Sequence, residues 1–209
     1  MRRLVVVAPH PDDEVLAAGG LMRRCAAGDV VVVAVTDGEA SHARSTRISP
    51  GELRSRRAAE RSEALRRLGV TAEVVRLGVP DQGCRDEEAE IAGALAALLR
   101  RGDTVVGASI ADRHPDHVAV AAALRRAAAG AVDTVWEAPT WALVHGTQPA
   151  PTWSLALDEG EWAAKRDAMA AYVSQLVPLG PDPSDGPVVH PDELCTMLRR
   201  REQFLAVEV

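Results

Sequence analysis

The sequence predicts an α/β fold in which a mostly parallel sheet carries helices on both faces, as in Rossmann-like domains. Two observations support this prediction. Short valine-rich runs alternate with longer amphipathic segments through residues 4–138, and this alternation is typical of parallel strands joined by crossover helices. The first run, the first helix and the second run also fit within about 35 residues, the length of a right-handed βαβ unit.

Each element up to residue 138 follows from its local pattern. Uninterrupted apolar runs predict buried strands, and apolar residues three or four positions apart predict helices. Glycine just past a helical segment, as at Gly28 and Gly69, marks a helix end. These rules predict strands over 4–8, 30–36, 72–77, 103–108 and 134–138, and helices over 13–27, 51–68, 87–100 and 116–129.

The pattern is looser after residue 138. Proline, aspartate and glycine accumulate there, and Asp158 is a candidate helix cap. We expect a single domain over residues 1–209, with about 139–209 as a short C-terminal extension on the side where a substrate would enter. This extension is predicted to hold an edge strand over 152–157, a helix over 159–174, a loop over 177–191 and a last helix over 192–204.

Composition limits the classes of partner. The 209 residues contain 30 acidic and 24 basic side chains, and this net charge of −6 argues against nucleic acid or an anionic membrane as the partner. No apolar run approaches the ~18 residues of a membrane span, and the apolar stretch near the start is too short for a signal peptide. Cys25, Cys84 and Cys195 are scattered, as expected for reduced thiols. The sequence therefore predicts a cytoplasmic protein.

The loop after the first strand contains one imidazole and three carboxylates. His10 is followed by Asp12, Asp13 and Glu14, and ligands of such sheets bind beyond the carboxyl ends of the strands. Clustered carboxylates repel one another, so a cation is the natural compensation. Helix capping is the alternative, and it explains one or two acids but not the preceding histidine.

The loop after the fourth strand carries a second cluster, with His114, Asp116 and His117. Histidines three positions apart can point into the same cleft. Two histidines and one aspartate make a three-ligand zinc site with an open position for water, whose pKa then falls to about 7. Because Asp12 and Asp13 are adjacent, one can bind the metal while the other accepts the proton of the water. The two clusters together predict metal-assisted hydrolysis.

These residues resemble a known family, the PIG-L/LmbE-like zinc-dependent de-N-acetylases. The family includes deacetylases of N-acetylglucosaminyl-phosphatidylinositol and of mycothiol and bacillithiol synthesis. The matching signature segments are Ala8-Pro9-His10-Pro11-Asp12-Asp13-Glu14 and His114-Pro115-Asp116-His117, supported by Thr36-Asp37-Gly38-Glu39, Arg57-Ala58-Ala59-Glu60 and Ser174-Gln175.

The resemblance implies a metal centre and a base. His10, Asp13 and His117 match the zinc ligands, and Asp12 matches the general base that takes a proton from water. Zinc is the implied metal, with another divalent cation as the alternative.

The resemblance also implies roles for four further residues. His114, as an imidazolium, would stabilise the oxyanion and protonate the leaving amine, and Asp116 would orient a motif histidine. Arg57 and Asp81 match positions that contact sugar hydroxyls. For these two, a surface arginine on a helix and an aspartate in a turn are the alternatives.

Together with the two clusters, the resemblance therefore implies a zinc-dependent hydrolase that deacetylates an N-acetylated amino sugar or sugar conjugate. An amidase acting on another sugar- or thiol-conjugate amide, and a catalytically idle metal-binding module, are the alternatives. The partner is expected to be a small molecule, and a homo-oligomer is plausible from relatives. Whether Trp136, Trp141 or His145 contacts substrate is left open.

Two positions depart from patterns within the family. Asp112 stands where mycothiol-type enzymes have a tyrosine, and Tyr172 stands where many members have a histidine. We therefore do not place the chain in the mycothiol branch.

Overall fold

A computed structural model describes residues 3–132 and 134–209, and these residues form one seven-stranded sheet covered by helices on both faces. The predicted fold class is confirmed. The sheet order is β3-β2-β1-β4-β5-β7-β6. The strands are β1 (Leu4–Ala8), β2 (Val30–Thr36), β3 (Ala72–Val79), β4 (Thr104–Ala108), β5 (Thr134–Ala138), β6 (Trp153–Ala156) and β7 (Arg201–Glu208).

The helices lie between the strands along the chain, and both ends of the longest one follow capping rules. The second helix begins with Pro50 after a capping box between Ser49 and Glu52, and it ends at Gly69 in the left-handed conformation. The helices are α1 (Asp13–Arg24), α2 (Pro50–Leu68), α3 (Glu88–Leu98), α4 (Pro115–Ala128), α5 (Thr140–Val144), α6 (Glu159–Met169), α7 (Val173–Leu176) and α8 (Pro191–Met197).

Strand β1 lies at the point where the strand order reverses. It pairs in parallel with β2 on one side and with β4 on the other. In sheets of this kind, the loops that leave the two central strands diverge and open a crevice at their carboxyl ends. The loops that begin α1 and α4 therefore face the same crevice.

The core has two layers because β1 and β2 are buried on both faces. Along β1, Val6 joins the layer that contains Leu16 and Met22 of α1, whereas Val5 joins the layer that contains Leu124 of α4. Successive side chains of a strand point to opposite faces, so an uninterrupted apolar run is what a doubly covered strand requires. This arrangement fixes β1 and the loop that follows it.

The predicted last helix over 192–204 is wrong. Helix α8 ends at Met197, and strand β7 follows it and lies between β5 and β6, antiparallel to both. Phe204 of β7 is fully buried and stacks on Trp153 of β6 at 5.0 Å between ring centroids. Pairing with a distant strand overrides the helical spacing of this segment, and local periodicity carries no sign of it.

The predicted helix over 159–174 is divided in two. Helix α6 ends at Met169, and α7 begins at Val173. Tyr172, between them, leaves helical geometry and is fully buried, and its hydroxyl donates a hydrogen bond to Glu14 at the start of α1. The break between α6 and α7 therefore places Tyr172 against the loop after β1.

Helix α1 is kinked at Ala18, where the backbone is not helical. Glu202 of β7 accepts hydrogen bonds from the N–H groups of Gly20 and Leu21, at 2.7 and 2.9 Å. The ammonium of Lys165 donates to the carbonyl of Leu16 at 2.9 Å and pairs with Glu202 at 2.6 Å. This buried ion pair satisfies backbone groups that the kink frees.

Within the described residues, no helix combines the length and the apolar character needed to cross a bilayer.

Candidate active site

The two predicted loop clusters meet at the carboxyl ends of β1 and β4. They line a cavity of about 190 Å³. The cavity also reaches the loops after β2 and β3 and the segment that follows α7. Its lining residues are His10, Asp12, Asp13, Leu16, Ser41, Arg57, Asp81, Gln82, His114, Trp141, Gln175, Val188 and Val189.

Three histidines face one another in this crevice. The ring centroids of His10 and His114 are 4.8 Å apart, those of His10 and His117 are 5.4 Å apart, and those of His114 and His117 are 5.1 Å apart. A ligand atom of each ring lies within 4.8 Å of one on each of the others. Converging imidazole nitrogens are typical ligands of a zinc-type metal site.

The carboxylate of Asp13 lies between two of these rings. Its Oδ2 is 3.2 Å from Nδ1 of His10 and 3.2 Å from Nε2 of His117. Ligand atoms about 2.0–2.1 Å from one tetrahedral ion are separated by about 3.3 Å. The two distances that involve Asp13 therefore match the spacing of neighbouring ligands around one cation.

The outer nitrogens of the same two rings bind carboxylates. Nε2 of His10 lies 3.1 Å from Asp116 and 3.2 Å from Asp81, and Nδ1 of His117 lies 2.8 Å from Asp112. Burial opposes protonation of both rings, but these carboxylates and Asp13 raise the pKa of His10 well above its usual value and that of His117 to about 9. Carboxylates behind histidine ligands orient the rings and make them better donors to a metal.

Asp116 contacts a motif histidine, His10, at 3.1 Å, and its role in orienting that ring stays a prediction. Its oxygens also accept the N–H groups of Gln82 and Cys84, at 2.9 and 3.2 Å. Asp116 thus joins the first signature loop, the second signature loop and the loop after β3.

The donor set fits a divalent metal ion. Nε2 of His117 is buried, and among the described residues it has no partner with hydrogen-bond geometry, although Oδ2 of Asp13 lies 3.2 Å away. Burying an unpartnered ring nitrogen is unfavourable, and a cation at this point would satisfy it. Imidazole nitrogens with a carboxylate oxygen suit zinc and neighbouring divalent metals.

Asp12 lies beside this centre and is held in an unusual conformation. Its φ is 119°, a value that residues with a side chain rarely adopt. The N–H of Asp12 donates to Glu14 at 3.2 Å, and its carboxylate accepts from Arg57 at 3.3 Å. Burial raises the pKa of Asp12 to about 7, against the opposing effect of Arg57. A carboxylate with such a pKa is suited to accept a proton near neutrality.

His114 caps α4 and presents its ring to the cavity. Its Nδ1 accepts a hydrogen bond from the N–H of Asp116 at 3.3 Å, so the neutral ring carries its proton on Nε2. Burial lowers the pKa of His114, and the neighbouring His10 and His117 lower it further. The imidazolium form that the resemblance implies requires this capping hydrogen bond to open.

Arg57 and Asp81 both line the cavity. The side chain of Arg57 is almost fully buried, and its guanidinium donates to the carbonyls of Gly38 and Pro11 and to Asp12. Asp81 accepts the N–H of Ala40 at 2.8 Å and lies against His10. Arg57 is therefore not on an exposed helix face, and contact of either residue with substrate stays a prediction.

Of the three aromatic residues left open by the sequence, Trp141 lines the cavity. Trp136 packs against Trp153 at 5.7 Å between ring centroids, and neither Trp136 nor His145 is among the lining residues.

The structure adds residues that the sequence did not indicate as part of the site. Ser41 and Gln175 line the cavity, and the backbone of Gln175 accepts the N–H groups of Val188 and Val189 at 2.9 and 3.0 Å. Glu60 positions this segment by accepting from the N–H and the hydroxyl of Ser174. In the sequence, the match of Ser174-Gln175 to the family pattern was the signal that could have indicated this segment.

The model of the family described as "PIG-L: GlcNAc-PI de-N-acetylase" matches residues 5–128, which is more than half of the chain. Among curated proteins, none matches.

Solved structures share the fold over nearly the whole chain. The conserved protein TT1542 from Thermus thermophilus is 27% identical with a TM-score of 0.72, and the match covers 100% of this chain and 96% of that one. N,N'-diacetylchitobiose deacetylase from Pyrococcus horikoshii is 18% identical with a TM-score of 0.70, covering 99% and 84%. The hydratase GalB from Pseudomonas putida is 17% identical with a TM-score of 0.67, covering 100% and 97%. The fold thus serves more than one reaction.

Proposed function

The chain belongs to the PIG-L family of de-N-acetylases, and from this premise we propose that it is a zinc-dependent hydrolase that deacetylates an N-acetylated amino sugar or sugar conjugate. The observation that carries the proposal is the position of Asp13, 3.2 Å from a ring nitrogen of both His10 and His117, with Asp12 beside it at the cavity. This combines a site for a cation with a base next to it.

We assign His10, Asp13 and His117 as the residues that hold the metal. When bound there, a divalent cation supplies Lewis-acid chemistry, because it polarises a carbonyl group and lowers the pKa of water to about 7. Zinc is our choice because its common ligands are those of this site, and another divalent cation is the alternative.

Asp12 is the proposed general base. A water molecule that attacks the amide carbonyl carbon transfers a proton to the Asp12 carboxylate, and the π-electron pair of the carbonyl moves onto its oxygen. The raised pKa of Asp12 makes it a stronger base than an ordinary aspartate while leaving a fraction ionised at neutral pH. Arg57 and Glu14 hold this side chain and its backbone in place.

His114 is the proposed partner of the oxyanion and the source of the proton for the amine. In its neutral form, Nε2–H is available to donate to the carbonyl oxygen as negative charge develops there. Before the C–N bond breaks, Nδ1 of His114 releases the N–H of Asp116 and takes up a proton from solvent. The oxyanion then re-forms the carbonyl, the C–N bond breaks, and the departing nitrogen takes the proton of Nε2. Asp12 returns its proton to solvent, and the products are acetate and a free amine.

The substrate is proposed to place one sugar ring in the cavity. At about 190 Å³ the cavity is smaller than the roughly 300–1,000 Å³ of pockets that enclose drug-sized ligands. Asp81, Gln82 and Gln175 supply polar contacts for hydroxyl groups, and Trp141 offers an apolar face. The rest of a conjugate would extend outside the cavity.

We propose a reducing, cytoplasmic location, because the cysteines are unpaired.

The test is release of acetate from a panel of N-acetylglucosamine conjugates, with zinc present and after chelation. Metal-dependent release supports the proposal and ranks the substrates. N-propionyl and thiol-conjugate amides in the same panel identify an amidase of another specificity by the acid that is released. If the protein binds a full equivalent of zinc and releases no acid from any substrate, the proposal is wrong and an idle metal-binding module is the better description.

A further inference from the structure

Asp112 lies in the loop after β4, five positions before His117. Its side chain is buried, and each carboxylate oxygen has its own partner. Oδ2 lies 2.8 Å from Nδ1 of His117, and Oδ1 accepts the N–H of Ala142 in α5 at 2.8 Å. One carboxylate therefore joins a histidine of the candidate metal centre to the helix that carries Trp141.

The contact with His117 has a consequence for the ring. A neutral imidazole carries one proton, and the second nitrogen is then an acceptor or a metal ligand. An acceptor at Nδ1 holds the proton there and leaves the lone pair of Nε2 free. In the described part of the chain, that Nε2 is buried without a hydrogen-bond partner and faces Asp13.

We infer that Asp112 is a positioning residue that fixes His117 in the tautomer required of a metal ligand, and that it ties this ring to α5 at the rim of the cavity. The inference rests on the metal site proposed above. It concerns a residue at which the chain departs from the mycothiol-type pattern, which has a tyrosine at this position.

A purely structural role is the competing explanation, since Asp112 also satisfies the N–H of Ala142. Asparagine separates the two. In D112N, the Nδ1–H of His117 and the N–H of Ala142 compete for a single side-chain oxygen. The backbone N–H is always a donor, whereas the imidazole can move its proton from Nδ1 to Nε2. The oxygen therefore goes to Ala142, and the amide NH₂ faces Nδ1, which moves the ring proton to Nε2, where it blocks the metal.

The experiment measures zinc affinity by competition with a chromophoric chelator for the parent, D112N and D112A. We expect D112N to bind zinc about 10–100-fold more weakly, the usual effect of losing a partner behind a histidine ligand. D112A should lose less affinity, because its ring is free to take either tautomer. A structural role gives the opposite order, because D112A removes the partner of Ala142 and D112N keeps it.

The matched control is D103N, which changes a buried aspartate at the other end of the sheet, where it pairs with Arg3. D103N should leave zinc affinity unchanged. The rise in Tm on adding zinc to each variant reports binding even if a variant is less stable. Zinc affinity of D112N within twofold of the parent, or an equal loss in D103N, would overturn the inference. If the parent itself binds no zinc, the metal site fails rather than the role of Asp112.

Discussion

Asp12 concentrates three unusual properties in one residue. It has a positive φ, it is buried, and its pKa is raised to about 7 beside the guanidinium of Arg57. Backbone strain at a residue with a side chain persists only where surrounding contacts enforce it, and such residues cluster at active sites. Arg57 and Glu14 supply those contacts here.

Replacing Asp12 by asparagine should abolish most of the activity and leave the metal site intact. We expect turnover to fall by about 10²–10⁴-fold, the usual contribution of a general base. Metal content per chain, measured by elemental analysis, should equal that of the parent because Asp12 is not among the proposed ligands. Near-parental turnover with bound metal would show that another group takes the proton.

Gly38 is required by the position of Arg57. It has a φ of +67°, and a Cβ built there would lie 2.1 Å from Nη1 of Arg57. Gly38→Ala should destabilise the fold by about 2–4 kcal/mol in urea unfolding, from backbone strain and from displacement of the guanidinium. Activity should fall as well, because Arg57 holds Asp12.

The matched control is Gly102→Ala. Gly102 also has a positive φ, +87°, but within the described residues nothing lies within 4 Å of its Cβ position. The Gly102→Ala variant should lose about 1 kcal/mol of unfolding free energy, from backbone strain alone. Its activity should be unchanged. Equal losses in the two variants would contradict the role given to Arg57.

At the scale of elements, the start of β1 is tied to the start of β4. Arg3 donates to Asp103 at 2.7 and 3.0 Å, and Asp103 also accepts the N–H of Arg100. Burial opposes ionisation of Asp103, but these donors lower its pKa below the ordinary 3.8. A carboxyl whose pKa is lowered by folding stabilises the fold above its unfolded pKa, and this stabilisation is lost as the pH falls through its folded pKa.

D103N should therefore be less stable than the parent at pH 7 by about 1 kcal/mol. The difference should shrink as the pH falls below about 4, because the carboxyl of the parent then becomes protonated. Urea unfolding of both proteins between pH 7 and pH 2.5 measures it. A difference that does not change with pH would mean that the charge of Asp103 contributes nothing.

Elements were predictable from sequence where their own side chains determine them. Strand β1 is buried on both faces, so its valine run is visible in any window. Strand β7 was not predictable, because its position in the sheet depends on pairing with β5 and β6. The site divides in the same way. His10 and His117 follow strands and were predictable, whereas the contact of Asp112 with Ala142 depends on how α5 packs and has no local signal in the sequence.

At the scale of the whole molecule, we propose that residues 1–209 behave as one domain, because β7 pairs with β5 of the parallel sheet. The four tryptophans lie at positions 136, 141, 153 and 162, so their fluorescence reports on the C-terminal part of the chain, whereas circular dichroism reports on all helices. The two signals should give one coincident urea transition. A fluorescence midpoint at lower urea would show that the extension unfolds separately.

The hydrogen bonds between Glu202 and the kinked helix α1 have a consequence for the order of folding. The N–H of Gly20 and the carboxylate that accepts it are 182 positions apart, and closing so long a loop is among the slow steps of folding. On a ribosome, which makes the chain from its N-terminus, the N–H groups of Gly20 and Leu21 would therefore gain this buried partner only after β7 has been synthesised.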